Sequence, residues 1–337
     1  MNLLFQSAIE RRVFPGAAWA VGGLDWLEQG YDGRFTYEKE SREVDQATLW
    51  DLASLTKVIA TTSLAMVAWE RGGLELNRAA SDYWPSFRHR GVTIRQLLIH
   101  RSGLPPYLEM NRDCRTPEEG EAKLLAAEIR AAVPHRMIYS CVGFLVMRRV
   151  LEAVFAQPFD HAFRTHVGEP LGLDQTGFRP SDRERCAPTS LSSAWRGEGL
   201  IQGEVHDPSA FILGGVSGNA GLFGTLKDAA RWAQVILRDG EAWLKPETIQ
   251  TWTRRQDDLS TRALGFDTGV PRTPQWSRRS FGHTGFTGTS IWIDPDAELF
   301  AVLLSNRVHP DESNRQILDF RPWFHREARR LWAEQRA

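Results

Sequence analysis

Lysine and cysteine are scarce in this chain of 337 residues, which has five lysines and three cysteines and no Cys-x-x-Cys pair. Three cysteines cannot all pair, so a disulfide framework and a cysteine zinc site are both disfavoured. His161 and His166 are five residues apart, which puts them on different faces of a helix, and no H-E-x-x-H motif is present. A phosphate-binding G-x-x-x-x-G-K-[ST] motif is also missing. We therefore expect neither a metal nor an organic cofactor.

Excess charge of one sign and long apolar runs are missing too. The 41 basic and 42 acidic residues give a net charge of -1, which disfavours nucleic acid and membrane surfaces as partners. The most apolar helix-length run, 58–69, is interrupted by Thr61, Thr62 and Ser63 and is too short to cross a bilayer. The first residues lack a basic segment followed by a long apolar one, so the sequence predicts a cytoplasmic protein. Its oligomeric state stays open.

Strand-like segments occur at both ends of the chain. Residues 13–23 and 34–37 form short β-like runs with glycines, and 279–308 contains three more. Within the last region, 299–304 is almost continuously apolar, as in a strand that is covered on both faces. The pattern predicts one antiparallel sheet that is built from both ends of the chain.

Helical patterns fill the middle of the chain, and an amphipathic helix is predicted at 314–335. Ser54 and Asp228 are predicted to cap two of the helices. The arrangement favours an α/β (α+β) fold, with a sheet domain (1–88 and 225–337), an inserted helical domain (89–224) and an active site at the seam. The predicted central helices are 54–72, 93–100, 119–132, 140–157, 159–168, 226–238 and 246–254.

The segment Ser54-Leu55-Thr56-Lys57 is the most informative short motif. A lysine three residues after a serine lies one turn further along the same helix face. The positive end of the helix favours developing negative charge near the serine, and a desolvated lysine can act as a base or stabilise an adjacent anion. The alternative is a capping serine followed by a surface lysine.

Two further elements carry possible chemistry. Tyr139 begins Tyr139-Ser140-Cys141 at the start of an apolar helix, where its hydroxyl can face a cleft, although a core tyrosine with a satisfied hydroxyl fits as well. His283-Thr284-Gly285 follows a strand-like run, and its glycine would let a substrate approach the strand edge. The alternative for this element is an ordinary glycine-rich turn.

In this order, the three elements match the S-x-x-K, middle and K-T-G motifs of β-lactamases and penicillin-binding proteins. The chain resembles this superfamily on its class C side, which also contains carboxylesterases and D-amino-acid peptidases. The resemblance implies a β-lactamase-like fold and serine hydrolysis through an acyl-enzyme. It extends over FPGAAWAVGG, LWDLASLTKVIATT, TIRQLLIHRSGLP, LGLDQTGF, VHDPSAFILGGVSGNAGLF and FGHTGFTGTSIWIDPD.

The resemblance also implies the roles of individual residues. Ser54 would be the nucleophile, Lys57 its partner and Tyr139 the general base that deprotonates Ser54 and later activates water. The amides of Ser54 and Phe286 would form the oxyanion hole. The third motif, at the substrate-binding strand, would be His283, Thr284 and Gly285.

Two departures from the family pattern concern the substrate. Cys141 stands where β-lactamases and peptidases have an asparagine whose amide binds a substrate carbonyl, and a thiol is a poor substitute donor. His283 replaces the lysine that attracts a substrate carboxylate. We expect weak recognition of acidic β-lactams, unless Arg307 or another arginine reaches the pocket. A Tyr139 phenolate would have Lys57 beside it but no second fixed cation at position 283, so activity is predicted to rise towards alkaline pH.

These observations favour an esterase-like or peptidase-like hydrolase that acts on a small ester, amide or β-lactam. The alternatives are a class C-like β-lactamase or D-Ala-D-Ala carboxypeptidase, and a penicillin-binding or sensor module that does not turn over. The loop 105–134 is predicted to border the cleft and to set specificity. His206 and Asp207 are interpreted as a structural hydrogen-bonded pair in a loop.

Overall fold

A five-stranded antiparallel sheet joins the two ends of the chain, in the order β2 (Leu27–Gly33), β1 (Gly16–Gly22), β8 (Leu299–Ser305), β7 (Ser290–Asp294) and β6 (Phe281–Thr284). The structure, a computed structural model, describes residues 1–129, 137–192, 196–197, 199–258, 260–269 and 275–336. Ala17 pairs with Ser305 and Gly22 with Phe300, which places the first strand against the last one. The prediction of one antiparallel sheet from both ends is confirmed.

Both faces of the sheet are covered, because successive side chains of a strand point to opposite sides. From β8, Val302 packs into the large core shared with the helices, whereas Leu303 packs into a second core with Phe5 and Phe324 of the terminal helices. All seven residues of β8 are buried. The prediction of a strand covered on both faces is therefore confirmed.

The second strand lies earlier in the chain than the sequence predicts. It is β2 (Leu27–Gly33), whereas 34–37 lies beyond the strand and contributes only an isolated bridge between Arg34 and Glu43. Polar side chains and two glycines give β2 a weak strand pattern. The segment is a strand because it pairs with β1. Position 30 requires glycine, because a Cβ there would lie only 2.5 Å from the indole nitrogen of Trp19.

A small second sheet supports the segment before Ser54. It has the order β3 (Trp50–Asp51), β5 (Leu222–Gly224) and β4 (Gly177–Phe178), with Trp50 paired to Gly224 and Gly177 to Phe223. Leu52, just after β3, donates its amide to Leu222 O at 3.0 Å and continues the pairing towards Ser54.

The predicted helices are observed with shifts at their ends, and the structure adds helices that the sequence did not predict, at Asn2–Glu10, Ala80–Tyr83, Met110–Asp113 and Pro208–Ile212. The predicted helix 119–132 is observed at Pro117–Leu125, and its last three residues lie outside the described part of the chain. The predicted helix 54–72 begins with a 3₁₀ turn (Ala53–Leu55) and a π-helical segment (Lys57–Thr62). The α-helices are α1 (Asn2–Glu10), α2 (Ser63–Glu70), α3 (Ala80–Tyr83), α4 (Ile94–Leu98), α5 (Met110–Asp113), α6 (Pro117–Leu125), α7 (Cys141–Phe155), α8 (Phe159–Phe163), α9 (Glu169–Leu171), α10 (Pro208–Ile212), α11 (Leu226–Leu237), α12 (Pro246–Thr253) and α13 (Ile317–Gln335).

Both predicted capping residues are wrong. Ser54 lies within the 3₁₀ turn, and the hydroxyl of Thr225 caps α11 by accepting the amide of Asp228 at 3.3 Å. Asp228 instead accepts the Gln175 amide at 2.8 Å and the Thr176 hydroxyl at 2.9 Å. Its carboxylate therefore ties α11 to the segment before β4, a long-range contact that a local capping pattern cannot show. None of the described helices has the length and apolarity that crossing a membrane requires.

Candidate active site

The backbone just before Ser54 is held in an uncommon conformation. Ala53 has φ 48°, in the left-handed region that side chains with a Cβ rarely adopt. The buried carboxylate of Asp51 fixes this turn, because it accepts the Ala53 amide at 2.8 Å and the His206 amide at 2.7 Å. Burial raises the pKa of Asp51, and these two hydrogen bonds oppose the rise. The turn therefore presents Ser54 at the surface of the cleft.

Lys57 lies one turn after Ser54 and is fully buried. Its ammonium nitrogen donates to Ser54 Oγ at 3.0 Å, to the Asn219 carbonyl at 2.9 Å and to Cys141 Sγ at 3.5 Å. Burial by itself lowers the pKa of Lys57, but the nearby Cys141 and Tyr139 outweigh burial, so the pKa is raised. Lys57 is thus a cation at neutral pH, fixed against the hydroxyl of Ser54.

Tyr139 reaches the same hydroxyl from the start of α7. Its OH donates to Ser54 Oγ at 3.2 Å. The ring lies against the imidazole of His100, with 4.5 Å between ring centroids. The Ser140 amide donates to His100 Nδ1 at 3.0 Å, and the Ser140 hydroxyl donates to Pro105 O at 2.6 Å. These contacts hold Tyr139 in place from both its backbone and its ring.

His283 lies on β6 at the edge of the cleft, 5.9 Å from Tyr139 between ring centroids. Its Nδ1 is 2.8 Å from the Thr284 carbonyl, so Nδ1 carries the proton and Nε2 is left as an acceptor. Burial lowers the pKa of His283 well below its usual value, and the Arg262 and Lys57 cations lower it further. His283 is therefore neutral and does not replace a third-motif lysine as a charge.

Gly285 has a packing role that the sequence analysis did not foresee. A Cβ at this position would overlap the Thr289 hydroxyl and lie 2.8 Å from the Leu52 carbonyl. The Gly285 amide donates to Thr289 O at 2.7 Å. The absent side chain therefore lets the strand edge pack closely against the segment that leads to Ser54.

Arg262 is a functional candidate that the sequence analysis missed. Its guanidinium carbon lies 5.5 Å from the centroid of the Tyr139 ring, and its Nη2 lies 3.5 Å from Asp267 Oδ2. Position 283 thus holds no second cation, but Arg262 brings one near Tyr139 from outside the three motifs. Arg262 belongs to no recognised motif, and only the fold of the loop before β6 brings it to the cleft.

Two cavities meet at Ser54. The strand-side cavity, of about 340 Å³, and the loop-side cavity, of about 550 Å³, share Ser54, Tyr139 and Phe286 in their linings. The strand-side cavity includes His283, Thr284 and Gly285. The loop-side cavity includes Cys141, His206, Asp207 and the loop residues Tyr107, Leu108, Glu109 and Asn111.

Phe286 lines both cavities and is 42% exposed. Its ring lies 5.7 Å from the His206 ring and 4.4 Å from the guanidinium of Arg307. Arg307 Nε also donates to the Phe286 carbonyl at 2.9 Å. Arg307 thus reaches the strand-side cavity. Weak recognition of acidic β-lactams was expected unless an arginine did so, and this condition is met.

Comparison with known proteins identifies the family to which this chain belongs. The β-lactamase family model matches residues 1–321. A relative from Salmonella typhimurium, named "Putative D-alanyl-D-alanine carboxypeptidase", is 29% identical over 310 residues, with 80% of this chain and 72% of that protein covered. The chain belongs to the β-lactamase family of serine hydrolases.

Solved structures show the same fold. EstCE1, described as a hydrolase with promiscuous acyltransferase activity, has a TM-score of 0.76 at 23% identity and is covered over 97% of its length by 95% of this chain. A class C β-lactamase from Rhodobacter sphaeroides has a TM-score of 0.75 at 20% identity, with 97% of this chain and 99% of that one covered. The predicted superfamily and the β-lactamase-like fold are confirmed.

Proposed function

We propose that the protein hydrolyses a small ester or amide through an acyl-enzyme on Ser54. The observation that carries this proposal is the pair of contacts at Ser54 Oγ, with Lys57 Nζ at 3.0 Å and the Tyr139 oxygen at 3.2 Å. A serine within hydrogen-bonding reach of a base and a fixed cation is the arrangement that nucleophilic catalysis requires.

Tyr139 is the proposed base, since Lys57 is held as an ammonium. In the reactive state the Tyr139 hydroxyl, which donates to Ser54 Oγ in the structure, has first lost its proton to solvent. Ser54 Oγ then attacks the substrate carbonyl while its own proton passes to the Tyr139 phenolate. Tyr139 then gives that proton to the leaving oxygen or nitrogen as its bond to the acyl carbon breaks. In the second half, water attacks the acyl carbon, Tyr139 takes the proton of the water and returns it to Ser54 Oγ, and the ester bond to Ser54 breaks.

Two backbone amides are proposed to stabilise the oxyanion, those of Ser54 and Phe286. Both residues line both cavities, so a carbonyl at the junction can approach each of them. Ser54 and His283 belong to the predicted sheet domain and Tyr139 to the predicted helical domain. Their proximity supports the proposed position of the active site at the seam between the two domains.

A second candidate function is hydrolysis of substrates whose leaving group carries a carboxylate, as in a D-Ala-D-Ala carboxypeptidase or a β-lactamase. Arg262 and Arg307, both in the lining of the strand-side cavity, favour this candidate. The thiol at Cys141 and the neutral imidazole at His283 disfavour efficient β-lactam turnover, and the esterase-like or peptidase-like reaction remains the first candidate.

Intact mass spectrometry with a fluorophosphonate, a p-nitrophenyl ester and penicillin G tests the proposal. We expect a fluorophosphonate adduct and ester turnover in the wild type and in Ser7→Ala, an exposed serine of α1, and neither in Ser54→Ala. Tyr139→Phe should slow turnover by at least about 100-fold, the usual scale for a lost general base, while Tyr31→Phe should not.

The penicillin arm separates the alternatives. A transient adduct places the protein with the β-lactamases, and an adduct that persists for hours identifies a module that traps the acyl group. If Ser54→Ala keeps the wild-type ester turnover and the fluorophosphonate adduct, Ser54 is not the nucleophile and the proposal is wrong.

A further inference from the structure

The two cavities at Ser54 carry opposite charge. Four arginines line the strand-side cavity, and one carboxylate, that of Asp267, accompanies them. Three carboxylates line the loop-side cavity, and among the described residues of its lining there is no lysine or arginine. The arginines are Arg262, Arg307, Arg315 and Arg321, and the carboxylates of the loop-side cavity belong to Glu109, Asp207 and Glu312.

The hydrogen bonds of Arg307 do not neutralise its positive charge, because their acceptors are backbone carbonyl groups. Its Nε donates to the Phe286 carbonyl at 2.9 Å, and its Nη1 donates to the carbonyls of Glu312 at 3.1 Å and Asn314 at 2.8 Å. Carbonyl groups orient a guanidinium without neutralising it. Because Arg307 is 3% exposed, its charge acts within a poorly solvated wall.

Two of the three carboxylates of the loop-side cavity are held by contacts with neighbouring groups. Asp207 caps α10 by accepting the Ala210 amide at 2.8 Å, which orients its carboxylate. Glu312 lies 3.3 Å from His206 Nε2, and the hydrogen bond from that imidazole lowers the pKa of Glu312. The lowered pKa keeps the Glu312 carboxylate ionised at neutral pH, and the carboxylates of this lining together favour a positively charged group.

We infer that the preferred substrate carries a free ammonium group on its acyl side, in the loop-side cavity, and a carboxylate on its leaving group, in the strand-side cavity. An unblocked dipeptide, or the corresponding amino-acyl ester, has this charge pattern with the scissile carbonyl between the two charges. The inference rests on the proposed function, because it takes Ser54, at the junction of the cavities, as the nucleophile.

Opposite potentials on the two sides of a nucleophile also set the direction of binding. A substrate with the reversed charges would place each group beside a like charge, which disfavours that orientation. A substrate with an acetylated amino group keeps the scissile bond but loses the attraction on the loop side. The charge pattern thus separates an aminopeptidase-like or dipeptidase-like preference from that of an enzyme for acylated peptides.

Four alanyl esters with matched scissile bonds test the inference, in both the D and L series. The amino group is free or acetylated, and the leaving group is 3-hydroxybenzoate or its methyl ester. After correction for each uncatalysed rate, we expect kcat/KM of the doubly charged ester to exceed each of the other three at least about tenfold, the scale of one charged hydrogen bond. This advantage should shrink as salt rises from about 0.05 M to about 0.5 M.

Two variants assign each charge to its cavity. Asp207→Asn keeps a helix-capping side chain and should reduce the ratio of rates for free and acetylated amino groups. Arg315→Gln should reduce the ratio for carboxylate and methyl ester leaving groups. Arg90→Gln, at an exposed position outside both linings, should leave both ratios unchanged. Glu109→Gln, at the exposed rim, serves as a second loop-side variant if Asp207→Asn does not fold.

The outcomes distinguish this inference from the proposed function. If the fluorophosphonate labels Ser54 but the neutral or acetylated esters react as fast as the doubly charged ester, the substrate assignment is wrong and the hydrolase stands. If the loop-side and strand-side variants show the same two rate ratios as the wild type, the substrate assignment is likewise wrong and the hydrolase stands. If Ser54→Ala retains the wild-type hydrolysis rates, both are wrong.

Discussion

The guanidinium of Arg262 lies 5.5 Å from the centroid of the Tyr139 ring, on a loop outside the three sequence motifs. A cation at this distance stabilises a phenolate, because opposite charges attract strongly in a poorly solvated site. If Tyr139 is the base, as proposed, Arg262 supplies part of the positive charge that a lysine at position 283 would supply.

We predict that Arg262→Gln lowers kcat/KM at neutral pH about tenfold and moves the midpoint of the pH–rate profile about one unit towards alkaline pH, which corresponds to ~1.4 kcal/mol. Arg262→Lys should recover much of the loss, and Arg254→Gln, outside both cavities at Ser54, should behave as the wild type. A profile with an unchanged midpoint in Arg262→Gln would show that this cation does not assist the base.

Cys141 is predicted to be the cysteine that reacts first with iodoacetamide. It lines the loop-side cavity, whereas Cys114 and Cys186 are buried. Burial also raises the pKa of Cys114, and raises that of Cys186 to about 12, which keeps both as unreactive thiols. Peptide mapping should find carbamidomethylation at Cys141 at least about tenfold faster than at the other two.

The same modification should abolish hydrolysis, because the added group enters the space beside Ser54 and Lys57. Cys141→Ser should keep its activity after treatment, while Cys114→Ser should be inhibited like the wild type. Full activity in a wild-type sample that is completely modified at Cys141 would contradict the position assigned to this thiol.

Gly285→Ala is predicted to destabilise the protein by about 1–3 kcal/mol, the usual cost of overpacking. The added Cβ would overlap the Thr289 hydroxyl and press on the Leu52 carbonyl. Gly177→Ala is the matched control, since no atom lies within 4 Å of a Cβ there. Differential scanning calorimetry should show a Tm several degrees lower for the first variant, and a normal Tm for it would contradict the packing role.

Acid is predicted to destabilise the fold through buried neutral histidines. Burial lowers the pKa of His325 to about 3. Between about pH 6.5 and this value, the unfolded chain binds a proton that the folded chain does not, so stability falls as pH falls, by up to ~1.4 kcal/mol per pH unit for one group. Burial acts in the same direction on His100 and His283.

Urea denaturation at pH 7, 6 and 5 measures this dependence. In His325→Gln the slope of unfolding free energy against pH should be smaller by up to one proton, because glutamine does not titrate in this range. His161→Gln, at an exposed position, should retain the wild-type slope. Identical slopes in all three proteins would show that His325 does not stay neutral in the folded state.

Short sequence motifs predicted those residues of the candidate site that belong to a recognisable local pattern. Ser54 and Lys57 are three residues apart, and Tyr139 and His283 stand in recognisable tripeptides, so the sequence could nominate them before any geometry was known. The structure brings all four together. Arg262 could not be nominated, because no local pattern distinguishes it from the other arginines and only the loop before β6 carries it to Tyr139.

The same limit explains the errors in the fold. β2 is polar and contains Gly30 and Gly33, so its strand character comes from pairing with β1 rather than from its own composition. Asp228 stands at a position that predicts a helix cap, yet its carboxylate accepts hydrogen bonds from Gln175 and Thr176, which are far away in the sequence. Elements that depend on such long-range partners are the ones that periodicity and propensity miss.

The pairing of Ala17 with Ser305 has a consequence for synthesis in the cell. The first hairpin leaves the ribosome long before β8 exists, so an edge of β1 that is buried in the mature sheet has no strand to bond to during most of translation. Contacts between such distant segments also close slowly. A nascent chain that stops before β8 therefore exposes a hydrophobic strand edge, which other chains or a chaperone can occupy.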